Sequence, residues 1–280
     1  MDLKDLKQLW RENDFRPNKK MGQNFLIDKN VRDKIISCLP FSHGDTVVEI
    51  GAGFGMMTFA LADMCARLYA VEKDAKICGM VSDMLKERDN IGLVNADILE
   101  VDISALSGEK GKLHVFGNIP YYISTQIMEK MIDQRGVVRS IYIVMQDEFA
   151  TRLVARPGSK DYGSISCYIQ YFTSARKVFK ISKNSFYPRP RVDSCLLELK
   201  VLEKPSVKVK NEDGMFEIIR KAFAQRRKKA LNSLVNRSAL GYGKDEWLKV
   251  FADSGVDPAS RAEALSLDDY ARLADLSQAR

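Results

Sequence analysis

The sequence lacks paired cysteines, long apolar runs and any excess of acidic residues. Its five cysteines are scattered along 280 residues without a CxxC pair, so we expect neither a zinc site nor a disulfide framework. No stretch approaches the length of a membrane span. The first ten residues mix acids and bases and have neither the apolar core of a signal peptide nor the acid-poor composition of a transit peptide. These absences predict a cytoplasmic protein with no membrane partner.

The chain is long enough for one large domain and a smaller one. Its hydrophobic share of 45% is sufficient for a substantial core. Lysine and arginine total 44 against 37 acidic residues, which gives a net charge of +7. This basic balance favours an anionic partner without identifying it.

A glycine-rich turn follows the first β-branched run. Thr46–Ile50 is followed at once by Gly51-Ala52-Gly53-Phe54-Gly55, and then by a predicted helix over residues 56–66. Further short apolar runs at 68–71, 91–94, 113–116 and 141–145 read as strands alternating with helices. The pattern predicts an α/β fold with a doubly wound, Rossmann-like sheet.

The spacing of the glycines is GxGxG and differs from the GxGxxG of nicotinamide-binding proteins. Glycines such as Gly51 and Gly53 let the backbone approach a ligand closely. Glu49 stands just before the turn, where a carboxylate suits an ammonium better than a phosphate. The turn therefore favours S-adenosyl-L-methionine, which has an amino-acid end and no phosphate.

Two acidic residues follow the next two predicted strands. Glu72 lies 21 residues after Gly51, where a carboxylate can bind both hydroxyls of a ribose. Asp97 could accept a hydrogen bond from an adenine amino group, or could be an ordinary helix-cap or turn residue. Because ligands bind outside the carboxyl ends of such strands, Gly51, Glu72, Asp97 and Asn118 are expected at one edge.

The fourth predicted strand runs into Phe116-Gly117-Asn118-Ile119-Pro120-Tyr121. The Asn118 side chain and the main-chain carbonyl of Ile119 offer two acceptors to an exocyclic amine, and Pro120 stiffens the turn. Tyr121 offers a ring on which a base can stack. Asn118, Ile119, Pro120 and Tyr121 are therefore the candidate catalytic residues, and the alternative is a plain proline-containing loop.

Two further segments each allow two interpretations, as a ligand-binding segment or as a linker. Gln23 and Asn24 beside Phe25 could form a flap over a small polar ligand, or belong to a solvated linker. In the stretch 184–193, Phe186 and Tyr187 could sandwich a flipped-out base, and the alternative is a proline-stiffened connection. Six basic residues and no acid lie between Arg176 and Arg191.

The pattern becomes helical after residue 205. Apolar residues between Phe216 and Leu234 keep a helical period. The opposite face is basic and is more suited to phosphate than to solvent alone. The candidate RNA-binding residues of the chain are Arg189, Arg191, Arg220, Arg226, Arg227, Lys228 and Lys229. We expect a catalytic domain over 1–205, with an N-terminal arm and flap over 1–28, and a helical domain over 206–280.

Seven stretches together resemble one family, the small-subunit ribosomal RNA adenine N6,N6-dimethyltransferases. The resemblance extends over residues 16 to about 275. The matching stretches are Lys20-Met21-Gly22-Gln23-Asn24-Phe25-Leu26, Glu49-Ile50-Gly51-Ala52-Gly53, Gly117-Asn118-Ile119-Pro120-Tyr121, Lys160-Asp161-Tyr162-Gly163, Phe186-Tyr187-Pro188-Arg189-Pro190-Arg191-Val192-Asp193-Ser194, Ala222-Phe223-Ala224-Gln225-Arg226-Arg227-Lys228 and Arg261-Ala262-Glu263.

The resemblance implies a cofactor, a substrate and a site. The cofactor would be S-adenosyl-L-methionine, bound by Asn24, Leu26, Gly51, Glu72, Asp97 and Asn118. The partners would be small-subunit rRNA and the immature small ribosomal subunit, with two adjacent adenines of the 3′-terminal hairpin loop each methylated twice. Tyr121 and Phe186 would stack on the target base, and the helical domain would bind rRNA. We expect a monomer that uses direct in-line transfer, without a metal.

Small departures and two alternatives stay open. Ala52, Ile119 and Tyr122 stand where Pro, Leu and Asn are common in the family. The Ile119 form also occurs in large-subunit rRNA methyltransferases of antibiotic resistance, but the basic stretch from Ala222 and the Arg261-Ala262-Glu263 motif argue against that assignment. A ribosome-assembly or nucleic-acid-binding factor without catalysis is the other alternative. Glu72, Asp97 and Asn118 argue against it.

Overall fold

A computed structural model of the chain describes residues 3–18, 21–107, 111–225 and 227–277. The helices in these ranges are α1 Leu3–Glu12, α2 Lys29–Ser37, α3 Thr58–Ala62, α4 Ala75–Lys86, α5 Ser124–Asp133, α6 Asp147–Leu153, α7 Ser164–Phe172, α8 Glu212–Phe223, α9 Ala230–Asn236, α10 Lys244–Ser254 and α11 Leu267–Ser277. The strands are β1 Phe25–Leu26, β2 Thr46–Ile50, β3 Arg67–Glu72, β4 Ile91–Asn95, β5 Leu113–Asn118, β6 Val138–Gln146, β7 Thr173–Ile181, β8 Phe186–Tyr187 and β9 Ser194–Val201.

Seven strands form one sheet in the order β4-β3-β2-β5-β6-β9-β7. The pairs from β4 through β6 are parallel, whereas β6 and β9 are antiparallel. Connections lead from β2 outward to β3 and β4, and the chain then returns to add β5 and β6 on the other side of β2. This reversal places a topological switch point between β2 and β5, where open α/β sheets bind their ligands. The predicted doubly wound α/β fold is confirmed.

Apolar faces of the helices bury the sheet. Ile35 of α2 and Leu61 of α3 pack in one cluster with Val47 and Phe116 of the strands. A second cluster joins α1 to α4. Asp74 caps α4 by accepting hydrogen bonds from the backbone N–H groups of its first turn, which stabilises a helix by about 1 kcal/mol. Helix α4, which follows the carboxyl end of β3, is therefore fixed by both packing and capping.

A two-residue ladder connects the N-terminal arm to a segment late in the chain. Strand β1 pairs antiparallel with β8, with Phe25 opposite Tyr187 and Leu26 opposite Phe186. The Trp10 ring of α1 stacks on Tyr187 at a centroid distance of 5.5 Å and meets Phe25 edge-on at 5.8 Å. These aromatic contacts hold the arm against the ladder.

The contacts divide the chain into two compact units. The first comprises Met1–Ala150 with Arg176–Val201, and the second comprises Thr151–Ala175 with Leu202–Arg280. The sequence-based division near residue 205 assigned residues 151–175 to the catalytic domain. In the structure, this segment packs with the C-terminal helices, because Tyr171 and Phe172 of α7 lie against the Phe216 ring of α8.

In the second unit, the basic residues near 227 do not lie on a continuous helix as expected. The apolar period predicted one helical run from Phe216 to Leu234, but α8 ends at Phe223 and α9 begins at Ala230. The backbone is diverted between them, because Lys229 forms a β-bridge with Arg261 and the Ala230 N–H donates to the Ser260 carbonyl. The basic residues 227–229 therefore lie in a connection. None of the helices described by the structure is long and apolar enough to cross a membrane.

Candidate active site

A cleft opens at the carboxyl ends of the central strands. Its volume is about 850 Å³, including the space that is open to solvent at the mouth. The four residues expected to share one edge of the sheet, Gly51, Glu72, Asp97 and Asn118, all line it. Because β2 and β5 flank the switch point, Gly51 and Asn118 face each other there. A Cβ atom added to Gly51 would lie 3.4 Å from the Asn118 carbonyl oxygen.

The glycine turn is shaped by backbone conformations that favour glycine. Gly51 has φ +77° and Gly53 has φ +54°, both in the left-handed region. A Cβ atom at Gly53 would lie 3.2 Å from the Phe25 ring. The Gly51 N–H donates to the Val71 carbonyl at 2.8 Å, which ties the turn to β3. The turn thus lines the cleft with bare backbone.

Glu72 organises the backbone around the cleft. Its two carboxylate oxygens accept hydrogen bonds from the N–H groups of Gly53 and Asp74, both at 2.9 Å. Burial raises the pKa of Glu72, and these backbone hydrogen bonds oppose the shift. Each carboxylate oxygen has more than one acceptor position, so the group can also bind the two hydroxyls of a ribose.

Asp97 is engaged by a cation that the sequence analysis did not single out. The Lys73 ammonium lies 2.6 Å from one carboxylate oxygen, and the Leu99 N–H donates to the other at 3.0 Å. Burial alone would raise the pKa of Asp97, but the hydrogen bonds from Lys73 and Leu99 outweigh it, and the pKa is lowered. Asp97 is therefore an ionised acceptor at the side of the cleft.

A second, smaller cavity adjoins the cleft and contains Glu49. Its volume is about 470 Å³, and it shares Phe25, Gly51, Gly53 and Asn118 with the cleft. Glu49 is only 2% exposed. Burial raises the pKa of Glu49 to about 8, the Thr58 hydroxyl opposes this shift, and the nearby charge of Glu72 adds to it. Among the described residues, its Oε2 atom has no hydrogen-bond partner. A buried carboxylate with an unsatisfied oxygen is suited to a cationic group.

The segment expected to be catalytic lies at the rim of the cleft. Asn118, Ile119, Pro120 and Tyr121 all line it. The Asn118 Nδ2 atom donates to the Asn24 carbonyl at 3.2 Å, which leaves the side-chain oxygen as the acceptor end of the amide. The Tyr121 hydroxyl is hydrogen-bonded to Ser194 Oγ at 2.9 Å. Both functional side chains are thus held by other parts of the chain.

The segment expected to form a flap, around Gln23 and Asn24, is tied to the edge of the sheet where Glu72 lies. The Gln23 amide donates to Asp74 at 2.8 Å, and the Asp74 N–H donates in turn to Glu72. Asn24 lines the cleft, whereas Leu26 lines the smaller cavity. The flap therefore stays a prediction, and the contact of Gln23 with Asp74 had no signal in the sequence beyond the position of Asp74 as a helix cap.

Phe186 and Tyr187 do not form the sandwich suggested by their adjacency. Consecutive residues of a strand point to opposite faces. Phe186, which is 3% exposed, lines the cleft, whereas the Tyr187 ring stacks on Trp10. The sandwich is therefore corrected to a single ring, and Phe186 stays a candidate for contact with the target base.

The candidate RNA-binding residues divide between the two units. Arg189 and Arg191 are exposed in the first unit, and Arg220, Arg227, Lys228 and Lys229 are exposed in the second. Arg226 lies outside the described residues. Across the described ranges, no three His, Cys, Asp or Glu side chains come together as a metal site would require.

Lys73, Ser194 and Thr58 are site residues that the sequence analysis missed. Lys73 had a weak signal, because it stands between Glu72 and Asp74. Ser194 lies 73 residues from Tyr121, so its contact had no local signal. Thr58 is fully buried beside Glu49, and its hydroxyl opposes the rise in the pKa of that carboxyl.

The sheet order and the glycine-lined cleft define a Rossmann-like fold of the class used by methyltransferases. The sequence profile of the ribosomal RNA adenine dimethylase family matches residues 14–279. The chain therefore belongs to the ribosomal RNA adenine dimethylase family of methyltransferases.

Individual relatives agree with this assignment. The chain is 38% identical to ribosomal RNA small subunit methyltransferase A of Pelotomaculum thermopropionicum, over 96% of this chain and 94% of the relative. It is 39% identical to the protein of the same name from Moorella thermoacetica, over 95% and 94%.

Two solved structures share the fold. A dimethyladenosine transferase from Plasmodium falciparum matches with a TM-score of 0.76 and 24% identity, over 89% of this chain and 95% of that one. The 23S rRNA methyltransferase ErmE matches with a TM-score of 0.69 and 22% identity, over 90% and 98%. At these identities the two structures support the fold alone.

Proposed function

We propose that the protein transfers methyl groups from S-adenosyl-L-methionine to N6 of two adjacent adenines in the 3′-terminal hairpin loop of small-subunit rRNA. Each adenine receives two methyl groups, and the protein acts as a cytoplasmic monomer on the immature small subunit. The observation that carries the proposal is the meeting of two features at one cleft: the Asn118–Tyr121 rim and the acidic edge formed with Glu72 and Asp97.

The cavities fit the cofactor group by group. Glu49, with its unsatisfied buried oxygen, is suited to the ammonium of the amino-acid end. Glu72 would bind the ribose hydroxyls, and Asp97 would accept from the adenine amino group. Bare backbone at Gly51 and Gly53 leaves space for close approach. When bound, S-adenosylmethionine supplies a methyl group on a positively charged sulfur, which an amine can accept.

The residues of the rim would activate and position that amine. The Asn118 side-chain oxygen and the Ile119 carbonyl would accept hydrogen bonds from the two N6 hydrogens of adenine. These bonds would draw the nitrogen lone pair out of conjugation and make N6 a nucleophile. Tyr121, fixed by Ser194, would hold the base by stacking, with Phe186 in the same cleft. Catalysis would then rest on positioning and on preorganised acceptors.

The pocket must accommodate a second transfer. After the first methylation, N6 retains one hydrogen, so only one of the two acceptors can be engaged. The methylated amino group must therefore rotate about the C6–N6 bond, which moves the first methyl group away from the donor, before the second is added. A cleft that is open at its mouth permits this rotation better than a closed cavity would.

The RNA would be held mainly through its phosphates. Arg189 and Arg191 are exposed in the first unit, and the basic connection 227–229 is exposed in the second. Contacts of this kind position an RNA without reading its sequence. The small-subunit assignment rests on the curated relatives at 38% and 39% identity.

The decisive experiment uses immature small subunits and methyl-labelled cofactor, followed by mapping of the modified bases. We expect N6,N6-dimethyladenine at both adjacent adenines of the 3′-terminal hairpin loop. The Asn118→Ala protein serves as a control for activity that arises from contaminants. Label that appears only in large-subunit rRNA would support the alternative assignment, and cofactor binding without any methyl transfer would support a binding factor.

A further inference from the structure

Tyr122 is the most exposed large hydrophobic side chain among the described residues, at 58%. A single exposed apolar residue usually requires no explanation. This ring, however, lines the cleft beside the rim residues. An exposed aromatic face at the mouth of a base-binding cleft is a surface on which a further base can stack, because every nucleobase has a π-face.

The local backbone directs Tyr121 and Tyr122 to different sides of the mouth. Both belong to the short 3₁₀ helix Tyr121–Ile123. With three residues per turn, consecutive side chains diverge by about 120°. Tyr121 is hydrogen-bonded to Ser194, whereas the Tyr122 ring lies along the flap, 3.5 Å from where a Cβ atom on Gly22 would be. The two rings therefore offer separate faces, and one base cannot use both.

Basic side chains lie beyond Tyr122. Lys73 lines the cleft and is half exposed. With Met21, it also lines an open groove whose other cations are Arg16 and Lys76. A groove that carries cations away from a base-binding mouth fits the backbone of a single-stranded nucleic acid. Asp14 and Asp74 also line this groove, and Lys73 is paired with Asp97, so its acidic and basic side chains are balanced. The Lys73 ammonium has further N–H donors besides the one that Asp97 accepts, and these can meet a phosphate.

We propose that the Tyr122 ring is a stacking platform for the nucleotide next to the target adenine, with its phosphate toward Lys73. The inference rests on the proposed function. Consecutive nucleotides are covalently linked, so a base adjacent to one in the cleft must pass the mouth. In a substrate with two neighbouring adenines, one would occupy the cleft while the other stacks on Tyr122. The platform would thereby hold the second target close to the site.

The test combines changes in the protein with changes in the RNA. Immature small subunits are reconstituted with rRNA whose 3′-terminal hairpin carries an abasic nucleotide in place of one or the other adenine. Methylation of the remaining adenine is followed with the unaltered protein, Tyr122→Ala and Tyr122→Phe. Loss of one stacked base corresponds to about a tenfold rise in KM, with kcat little changed because the contact is the same in ground and transition states.

We expect Tyr122→Ala to raise KM about tenfold on unmodified RNA and Tyr122→Phe to behave like the unaltered protein. In at least one of the two abasic RNAs, KM should already be raised for the unaltered protein, and Tyr122→Ala should add no further loss. Cofactor affinity and melting temperature should be unchanged in Tyr122→Ala.

Two results would overturn the platform while leaving the proposed function intact. The first is an additive loss from Tyr122→Ala in both abasic RNAs. The second is a loss of cofactor affinity in Tyr122→Ala that accounts for the whole effect, because Tyr122 would then only support the flap at Gly22. Failure of the unaltered protein to methylate either adenine would instead overturn the proposed function, and this inference with it.

Discussion

Glu49 is a buried acid whose ionisation is opposed by its surroundings. Burial and the charge of Glu72 raise its pKa to about 8. At neutral pH the carboxyl is therefore mainly protonated in the absence of a cationic partner. Binding of an ammonium beside it would favour the ionised form. Cofactor binding below pH 8 should then release a proton, which calorimetry in buffers of different ionisation enthalpy would detect.

We predict that Glu49→Gln changes the pH dependence of stability. A carboxyl with a raised pKa binds its proton more tightly in the folded state. Its contribution is complete below the ordinary pKa of 4.5 and is lost as pH rises through about 8. Relative to Glu49→Gln, the unaltered protein should lose roughly 3–5 kcal/mol across that interval. Thermal melts at pH 5 and pH 8.5 measure the difference, and parallel pH profiles would contradict the prediction.

Asn118 gives the sharpest prediction for catalysis. Loss of its side-chain acceptor in Asn118→Ala should raise the barrier by about 2–4 kcal/mol, the usual effect of removing one preorganised polar group. The hydrogen bond to the Asn24 carbonyl is also lost, so cofactor affinity has to be measured separately. Single-turnover methylation at saturating cofactor isolates the chemical step. Near-normal turnover by a folded Asn118→Ala protein would count against the proposed role.

The polar residues at the ends of the strands were predictable from the sequence. The side chains that contact and orient the site residues were not. Glu49, Glu72, Asp97 and Asn118 follow or end apolar runs, and parallel topology alone brings such positions to one edge. Ser194 became a site residue only through a contact 73 residues away along the chain. The sequence allowed Tyr187 to sandwich a base with Phe186, but the Trp10 ring stacks on Tyr187 instead. Side-chain partners that depend on long-range packing have no local pattern.

At the scale of elements, the glycine turn after β2 can be tested with a matched pair of variants. Gly53→Ala places a side chain at φ +54° and a Cβ atom 3.2 Å from the Phe25 ring. We expect a loss of about 1–2 kcal/mol of stability and weaker cofactor binding. Gly44→Ala is the control, because Gly44 has no positive φ and open space around its Cβ position. Equal effects in the two variants would contradict the role of the turn.

The basic connection between α8 and α9 is the second element to test. Arg227, Lys228 and Lys229 changed together to Ala should weaken rRNA binding and reduce the slope of log affinity against log salt by up to about 3. The control removes three exposed lysines from the same unit, Lys204, Lys208 and Lys210. Both variants lose the same charge, so an identical slope in the two would place the RNA elsewhere.

The same connection shows why a periodic pattern can miss a break. The apolar residues of α8 and α9 keep the same helical period, so their spacing predicts one continuous helix from Phe216 to Leu234. The helix is interrupted because the backbone of Lys229 pairs with that of Arg261, which lies 32 residues further along the chain. Helix bounds set by local capping, such as Asp74 before α4, were predictable to within a residue or two.

At the scale of the whole molecule, residues 151–175 belong to the second unit, whereas the sequence-based division placed them in the catalytic domain. Residues 151–175 include a loop rich in turn-forming residues at 156–163, but their membership depends on aromatic contacts with helices beyond residue 202. Tyr162 packs on Phe223, and the α7 rings pack on Phe216. A division based on the change in pattern near residue 205 therefore leaves these rings without partners.

We predict that the fragment 1–205 is less stable than the complete chain. Its Tyr162, Tyr171 and Phe172 side chains are buried in the complete chain and would lose the packing supplied by Phe216 and Phe223. Loss of several aromatic contacts should lower the melting temperature and increase binding of an apolar dye. A fragment that melts as cooperatively and at the same temperature as the complete chain would contradict the grouping of residues 151–175.

The pairing of β1 with β8 has a consequence for synthesis. Leu26 is opposite Phe186, and Tyr121 is hydrogen-bonded to Ser194, so the walls of the cleft come from distant parts of the chain. A growing polypeptide can form its first parallel strands early. The β1–β8 pairing and the Tyr121–Ser194 hydrogen bond are both in place only after about residue 194 has left the ribosome. A product terminated before that point would contain the glycine turn and the acidic edge but would lack both of the contacts that close the cleft walls.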